Sequence, residues 1–180
     1  GRRWRALHRA LEQGLELGFV VVLRVFHALA CVFTLSMEYA LLYRRHLEQD
    51  MAAAEHLLAR GHERLGVIAM DLALKAERDI AGPERQAGPS YAAVPARLAG
   101  YRAAVEAAGR DWERDVVVYE TPENVPAEGA LAAAALLALR PRPTALLAMS
   151  DQLAFGALAH AREAGLAVPD DVAVVGCDDL

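Results

Sequence analysis

Cysteine is scarce in this chain, which contains only Cys31 and Cys177 among its 180 residues. Two cysteines are too few for a disulfide framework, and such usage is typical of a protein of the reducing cytosol. No CxxC pair or zinc-ligand spacing occurs, so the sequence predicts neither a metal site nor a cofactor. A formal net charge of −5 likewise gives no support to nucleic-acid binding by this chain.

Motifs of catalysis are also missing. Ser36, Ser90 and Ser150 lie outside any GxSxG elbow, and the sequence contains no HExxH, GxGxxG or P-loop. Asp178 and Asp179 are adjacent in the chain, so we expect their side chains to point apart rather than to face each other as glycosidase carboxylates do. The sequence therefore predicts a protein that is not an enzyme.

Hydrophobic residues are abundant, at 55% of the chain, which is enough for a substantial core and argues against disorder. Many of them are alanine, which favours helices but gives the core a modest volume per residue. The length suits one domain, or one domain together with part of another.

The most informative stretch is a strand–helix–strand pattern near the end of the sequence. Short apolar runs at 144–149 and 172–175 are typical of buried strands, and small and apolar residues recur at helical spacing over 153–164. Ser150 and Asp151 stand where a helix needs an N-cap and a negative charge. Two short strands joined by one helix should be parallel.

Parallel pairing places Ser150 and Asp151 at the same edge of the sheet as Asp178 and Asp179. This carboxyl edge is where open α/β sheets bind ligands. Helices and strands alternate along the rest of residues 46–180 as well, so the sequence predicts an α/β fold with a doubly wound parallel sheet. The expected helices are 46–60, 96–109, 127–139 and 153–164, and the expected strands are 65–70, 116–119, 144–149 and 172–175.

Four ordered blocks of this region resemble the effector-binding domain of the LacI/GalR family of bacterial transcription regulators. They are AEHLLARGHERLGVIA (54–69), ARLAGYRAAVEAAG (96–109), PTALLAMSDQLAFGAL (143–158) and AREAGLAVPDDVAVVG (161–176), followed by the closing DD. The resemblance implies one lobe of a periplasmic-binding-protein-like (type I) fold together with a remnant of the other lobe. Residues 1–45 would then end the amino-terminal subdomain and cross over, and residues 46–180 would form a carboxy-terminal subdomain that is truncated at its end.

Arg97 and Asp178 are the leading candidates for ligand contacts. Arg97 begins a helix just after a strand-edge loop, where its guanidinium can donate several hydrogen bonds to hydroxyls or to a carboxylate; a surface salt bridge is the alternative. Asp178 can accept from two neighbouring hydroxyls, which suits a sugar or nucleoside, or it can cap a turn. The resemblance implies ligand roles for both, as the arginine of RLAG and the first aspartate of GxDD.

Four weaker candidates lie at the same predicted edge. Ser150 and Asp151 stand where many family members have Asn-Asp, and plain N-capping is an equal alternative for Ser150. Asn124 falls where some relatives place a ring-stacking aromatic, a role that an amide cannot fill. Tyr91 lies in the long loop 71–95 and could stack on a ligand, although an ordinary mobile surface loop is the simpler expectation.

The first 45 residues match the family poorly. Residues 2–17 have amphipathic helical spacing, and 19–23 form a strand-like run. Residues 17–43 are almost entirely apolar apart from Arg24, His27 and Glu38, which favours a buried strand with an irregular crossover. A membrane segment and a segment that has lost the family pattern are the alternatives. The aspartate that the family usually supplies here is missing, because Arg45 or His46 falls near its position.

The resemblance implies a cytoplasmic, homodimeric effector-sensing domain that binds a small molecule, most simply a sugar, without any membrane partner. It would bind DNA only through a helix-turn-helix that this chain does not show, and the chain stops before the elements that complete both lobes. The alternatives are a solute-binding protein of a sugar transporter and an inactive gene fragment.

Overall fold

The structure is a computed structural model that describes residues 2–73, 75–88 and 93–177, without side-chain detail for 2–23, 27, 28 and 35. The predicted site residues Tyr91 and Asp178, and Asp179 beside the latter, lie outside the described residues. The chain divides into two compact units, residues 1–41 and 42–180.

A five-stranded sheet with the order β2-β3-β1-β4-β5 organises the second unit. β1 pairs in parallel with β3 and β4, and β4 pairs in parallel with β5, so the predicted doubly wound parallel sheet is confirmed. β2, which the sequence did not predict, pairs antiparallel with β3 at the edge. The strands are β1 (Leu65–Met70), β2 (Asp79–Ile80), β3 (Val116–Thr121), β4 (Ala145–Ala148) and β5 (Ala173–Val175).

Helices of the second unit cover both faces of this sheet. The helices of the chain are α1 (Arg2–Ala59), α2 (Pro83–Gln86), α3 (Ala93–Ala107), α4 (Trp112–Asp115), α5 (Pro126–Leu137) and α6 (Asp151–Glu163). The predicted helices at 96–109, 127–139 and 153–164 are confirmed as α3, α5 and α6 with shifts of a few residues at their ends. The short α2 and α4 carry too few residues for a periodic signal.

Side chains that alternate along the strands build a core on each face. Val67 and Leu147 pack with Tyr101 of α3 on one face, and Ile68 and Leu146 pack with helices α5 and α6 on the other. Because both faces are buried, the strands are continuous apolar runs rather than alternating ones. This explains why short apolar runs located them in the sequence.

Small residues let the helices approach closely. A side chain on Gly156 of α6 would overlap the carbonyl oxygen of Pro126, and one on Gly129 of α5 would overlap that of Leu153. A side chain on Gly100 of α3 would overlap the carbonyl oxygen of Leu47 in α1. These close contacts constrain how α5 packs against α6 and how α3 packs against α1.

The strand expected at 19–23 and the irregular crossover expected within 17–43 are wrong, because α1 is helical through both segments. No proline occurs before Pro83, and Gly14 and Gly18 are the only glycines between residues 2 and 60. Alanine- and leucine-rich sequence without a breaker favours continued helix, whereas a strand would need a partner to pair with.

Apolar side chains of the described part of this helix are exposed, including those of Phe26, Leu29, Phe33 and Met37. By length and composition Arg24–Ala59 could cross a membrane, since an 18-residue window has a mean hydropathy of 1.6. None of that window is buried. This exposure excludes the buried crossover that the apolar composition favoured.

Candidate ligand-binding site

Polar residues collect at the carboxyl edge of the parallel strands. β1 is followed by Asp71, β3 ends in Glu120 and Thr121, β4 leads through Met149 to Ser150, and β5 leads to Cys177. Parallel strands bring these ends to one side of the sheet, as the sequence predicted for Ser150 and Asp151. Asp71 has a φ of 50°, a left-handed conformation that aspartate tolerates better than most residues.

Arg97 lies at this edge and is almost completely buried. Its Nη1 donates a hydrogen bond to the carbonyl oxygen of Met149, at the end of β4. Its Nε is 3.8 Å from Oδ2 of Asp50. Because the guanidinium is buried next to the end of a strand, Arg97 does not form the surface salt bridge that was the alternative prediction for this residue.

Asp50 is a site residue that sequence reasoning missed. It lies in the last part of α1 and has no solvent exposure. Its Oδ1 accepts a hydrogen bond of 3.1 Å from the thiol of Cys177, so one carboxylate contacts both Arg97 and the residue that precedes Asp178. No pattern in the sequence indicates its role, since a single aspartate in a helix is normally solvated.

Three hydrogen bonds hold Cys177 in place. Besides its thiol contact, its N–H donates to Oδ1 of Asp151 at 2.9 Å, and its carbonyl oxygen accepts from Nε2 of Gln49 at 2.7 Å. Asp151 therefore uses one carboxylate oxygen to hold the end of β5 against α6. Asp178 follows Cys177 in the sequence, and its contact with a ligand stays a prediction.

Ser150 and Asn124 are brought together at the edge. The Ser150 side chain is fully buried and caps α6, accepting from the N–H of Leu153 at 3.2 Å, so the predicted N-cap is confirmed. The same hydroxyl donates to Oδ1 of Asn124, which is exposed in the loop between β3 and α5. This pair presents an amide to the edge of the sheet.

Ion pairs attach the segment between β1 and α3 to the same edge. Arg85 of α2 pairs with the fully buried Glu120 of β3, and Arg78 pairs with Glu128 in the first turn of α5. Gln86 also accepts a 2.9 Å hydrogen bond from the indole of Trp112. The described part of this segment is therefore tied to the sheet, in contrast to the mobile surface loop that was the simpler expectation.

Burial raises the pKa of the Tyr101 hydroxyl well above its usual range, and the neighbouring Asp50 carboxylate raises it further. Arg97 acts in the opposite direction. The phenol consequently stays neutral beside the Asp50–Arg97 pair. Within the described ranges, no group of three or more His, Cys, Asp or Glu side chains is arranged to hold a metal ion.

Fold and site together define an α/β ligand-binding lobe whose polar groups gather where its parallel strands end. Residues 54–180 match the model of the periplasmic binding protein-like domain. The chain belongs to this family, in the form found as the effector-binding domain of LacI-family regulators.

Three relatives illustrate the match. An HTH-type transcriptional regulator of Mycobacterium tuberculosis is 34% identical over 127 residues, covering 71% of this chain and 35% of the regulator. A LacI-family regulator structure from Corynebacterium glutamicum has a TM-score of 0.70 and 27% identity, covering 74% of this chain and 39% of that one. A sugar-binding LacI-family regulator of Escherichia coli, solved with phosphate, has a TM-score of 0.58 and 27% identity over 75% of this chain and 42% of that one.

The chain thus spans about a third of the length of the curated relatives it matches. The matched region begins in the last turns of α1, and the amino-terminal part of that helix precedes it. The relatives named here are transcriptional regulators rather than enzymes, in agreement with the prediction of a non-enzymatic protein.

Proposed function

We propose that this chain forms part of the effector-sensing domain of a LacI-type transcriptional regulator and binds a hydroxylated small molecule, a sugar or related metabolite, at the carboxyl edge of its sheet. The observation that carries the proposal is the meeting of Arg97, Ser150 and Cys177 at this edge, on elements that are far apart in sequence. The sugar-binding E. coli relative supports the choice of ligand class.

Each candidate residue has a distinct role in the proposed site. Arg97 donates hydrogen bonds in a fixed planar geometry, and Asp178 accepts from adjacent hydroxyls. Asn124 offers an amide that is oriented by Ser150. Tyr91 provides an apolar face for a ring. Asp151 acts through Cys177 by holding the end of β5.

The whole regulator is proposed to work as a cytoplasmic homodimer. Effector binding would change the arrangement of two subdomains and so alter the DNA affinity of a helix-turn-helix. Such coupling requires that the effector bind the two arrangements with unequal affinity. No catalytic step is part of the proposal.

Thermal-shift screening of the purified chain with sugars and nucleosides tests the proposal. Arg97→Ala and Asp178→Asn should each weaken the best ligand by about 1.5–3 kcal/mol, because a charged hydrogen bond is lost. Arg162→Ala, which removes an exposed arginine from the end of α6, is the matched control and should leave affinity unchanged. Unchanged affinity in both site variants would remove the site assignment.

A second candidate is a solute-binding protein of a sugar transporter, which shares this fold class. The exposed apolar helix near the amino terminus is the observation that favours it, since a signal sequence there would also contain an apolar helix. Fractionation of cells that express the native gene separates the two. Recovery outside the cytoplasm would favour the transporter protein, and binding of the full-length product to DNA would favour the regulator.

A further inference from the structure

Arg97 already forms an ion pair within the protein, with the carboxylate of Asp50. Its Nε is 3.8 Å from Oδ2 of Asp50, and both side chains are almost completely buried. In a buried site a charge pair is screened much less than at the surface. Asp50 therefore acts strongly on the potential that a ligand would meet at Arg97.

Two groups without a formal charge also contact Asp50. Cys177 donates its thiol hydrogen to Oδ1 of Asp50 at 3.1 Å, and the Tyr101 phenol lies beside the same carboxylate. Asp151 is another acid of this edge; its Oδ1 accepts the Cys177 N–H, and it stands in the first turn of α6, where the helix dipole offsets a negative charge. Among the acids that the structure describes, Asp50 is the one that forms an ion pair with Arg97.

We propose that Asp50 is a specificity-determining residue, which neutralises Arg97 so that the site accepts an uncharged hydroxylated ligand and rejects anions. The inference rests on the proposed ligand-binding function of this edge. Arg97 keeps its geometry for donating hydrogen bonds to hydroxyl oxygens, which does not require a net charge. A phosphate or carboxylate, by contrast, would approach Arg97 against the repulsion of Asp50.

Asp50→Asn removes the charge with nearly unchanged shape and should turn the site into an anion site. The probe is inorganic phosphate, titrated against the purified full chain in a thermal-shift assay at constant ionic strength. We expect the variant to bind phosphate at least tenfold more tightly than the parent chain does. Glu55→Gln, which removes the same charge from an exposed position of α1, is the matched control and should behave as the parent chain.

A second measurement covers the case in which Asp50→Asn is too unstable to titrate. Removing one partner of a buried ion pair leaves an uncompensated charge, so Asp50→Asn and Arg97→Met should each lower the melting temperature by roughly 10 °C. The double variant should recover most of that loss. Additive losses in the double variant would show that the two charges do not balance each other and would overturn the inference.

The outcomes separate this inference from the proposed function. Equal phosphate affinity in the parent chain and in a folded Asp50→Asn variant overturns the role of Asp50, even if a sugar that depends on Arg97 is found. A gain of phosphate binding in the variant supports the role of Asp50, even if no sugar or nucleoside binds. In that second case the proposed ligand class is refuted, whereas the inference that Asp50 neutralises Arg97 is supported.

Discussion

Replacing Arg85 by methionine should destabilise the chain strongly, because it leaves Glu120 buried without its countercharge. The Glu120 side chain is only 1% exposed, and its Oε1 has no hydrogen-bond partner. Arg85 is the residue that pairs with its other oxygen, and Arg85 also donates to the carbonyl oxygen of Lys75 at 2.7 Å. Methionine keeps the unbranched apolar stem of the side chain and removes the guanidinium with its charge and its hydrogen-bond donors.

The expected loss of folding free energy follows from how deeply the side chains of Arg85 and Glu120 are buried. Breaking a buried pair by removing one partner costs about 3–5 kcal/mol. Because 24% of the Arg85 side chain is exposed and water can reach part of the gap, we expect a value near the lower end, about 3 kcal/mol. Domains are stable by only about 5–15 kcal/mol, so this is a large fraction of the total.

Urea denaturation at pH 7, followed by circular dichroism, measures the loss. Glu120→Leu and the double variant complete the cycle, and the double variant should be more stable than Arg85→Met alone, since it no longer buries an unpaired charge. A value for Arg85→Met within about 0.5 kcal/mol of the parent chain, a typical surface effect, would refute the reasoning. So would a double variant that is no better than the single one.

Two further predictions follow from single contacts. Ser150→Ala should cost about 1 kcal/mol in urea denaturation, because α6 loses its N-cap, and a change below 0.3 kcal/mol would contradict that role. His62 should titrate below its ordinary 6.5 in an NMR experiment, since burial and Arg60 lower its pKa; its contribution to stability is then present above pH 6.5 and is lost as the pH falls through the folded pKa. A His62 midpoint at or above 6.5 would exclude this effect.

Most of the fold was predictable because the patterns that indicate its helices and strands lie in residues close together in sequence. β1 was expected at 65–70 and forms there, because Gly61, with a φ of 88°, ends α1 and a buried apolar run follows. The N-cap at Ser150 was likewise a local signal. β2 gave no such signal, since two residues cannot show a period and their pairing with β3 depends on a segment about 40 positions away.

The candidate site was predictable only in part, for the same physical reason. The strand ends placed Ser150 and Asp151 at the carboxyl edge, and Arg97 was expected near it. Asp50 and Glu120 acquire their roles from partners in other elements: the thiol that donates to Asp50 is 127 positions away, and the arginine that pairs with Glu120 is 35 positions away. Composition and residue spacing do not indicate such long-range pairings, so the roles of both acids become apparent only in the structure.

Three buried acidic side chains at this edge are each paired with an arginine, and this arrangement affects how a ligand would bind. Asp50, Glu120 and Glu128 are buried acids on α1, β3 and α5, and each faces an arginine from a different element. Separating either partner from the other would leave a buried charge poorly compensated, so these pairs oppose displacement of α3 and of the segment between β1 and α3. The edge is therefore organised in advance, and a ligand that enters it loses less free energy to ordering side chains than it would at a mobile loop.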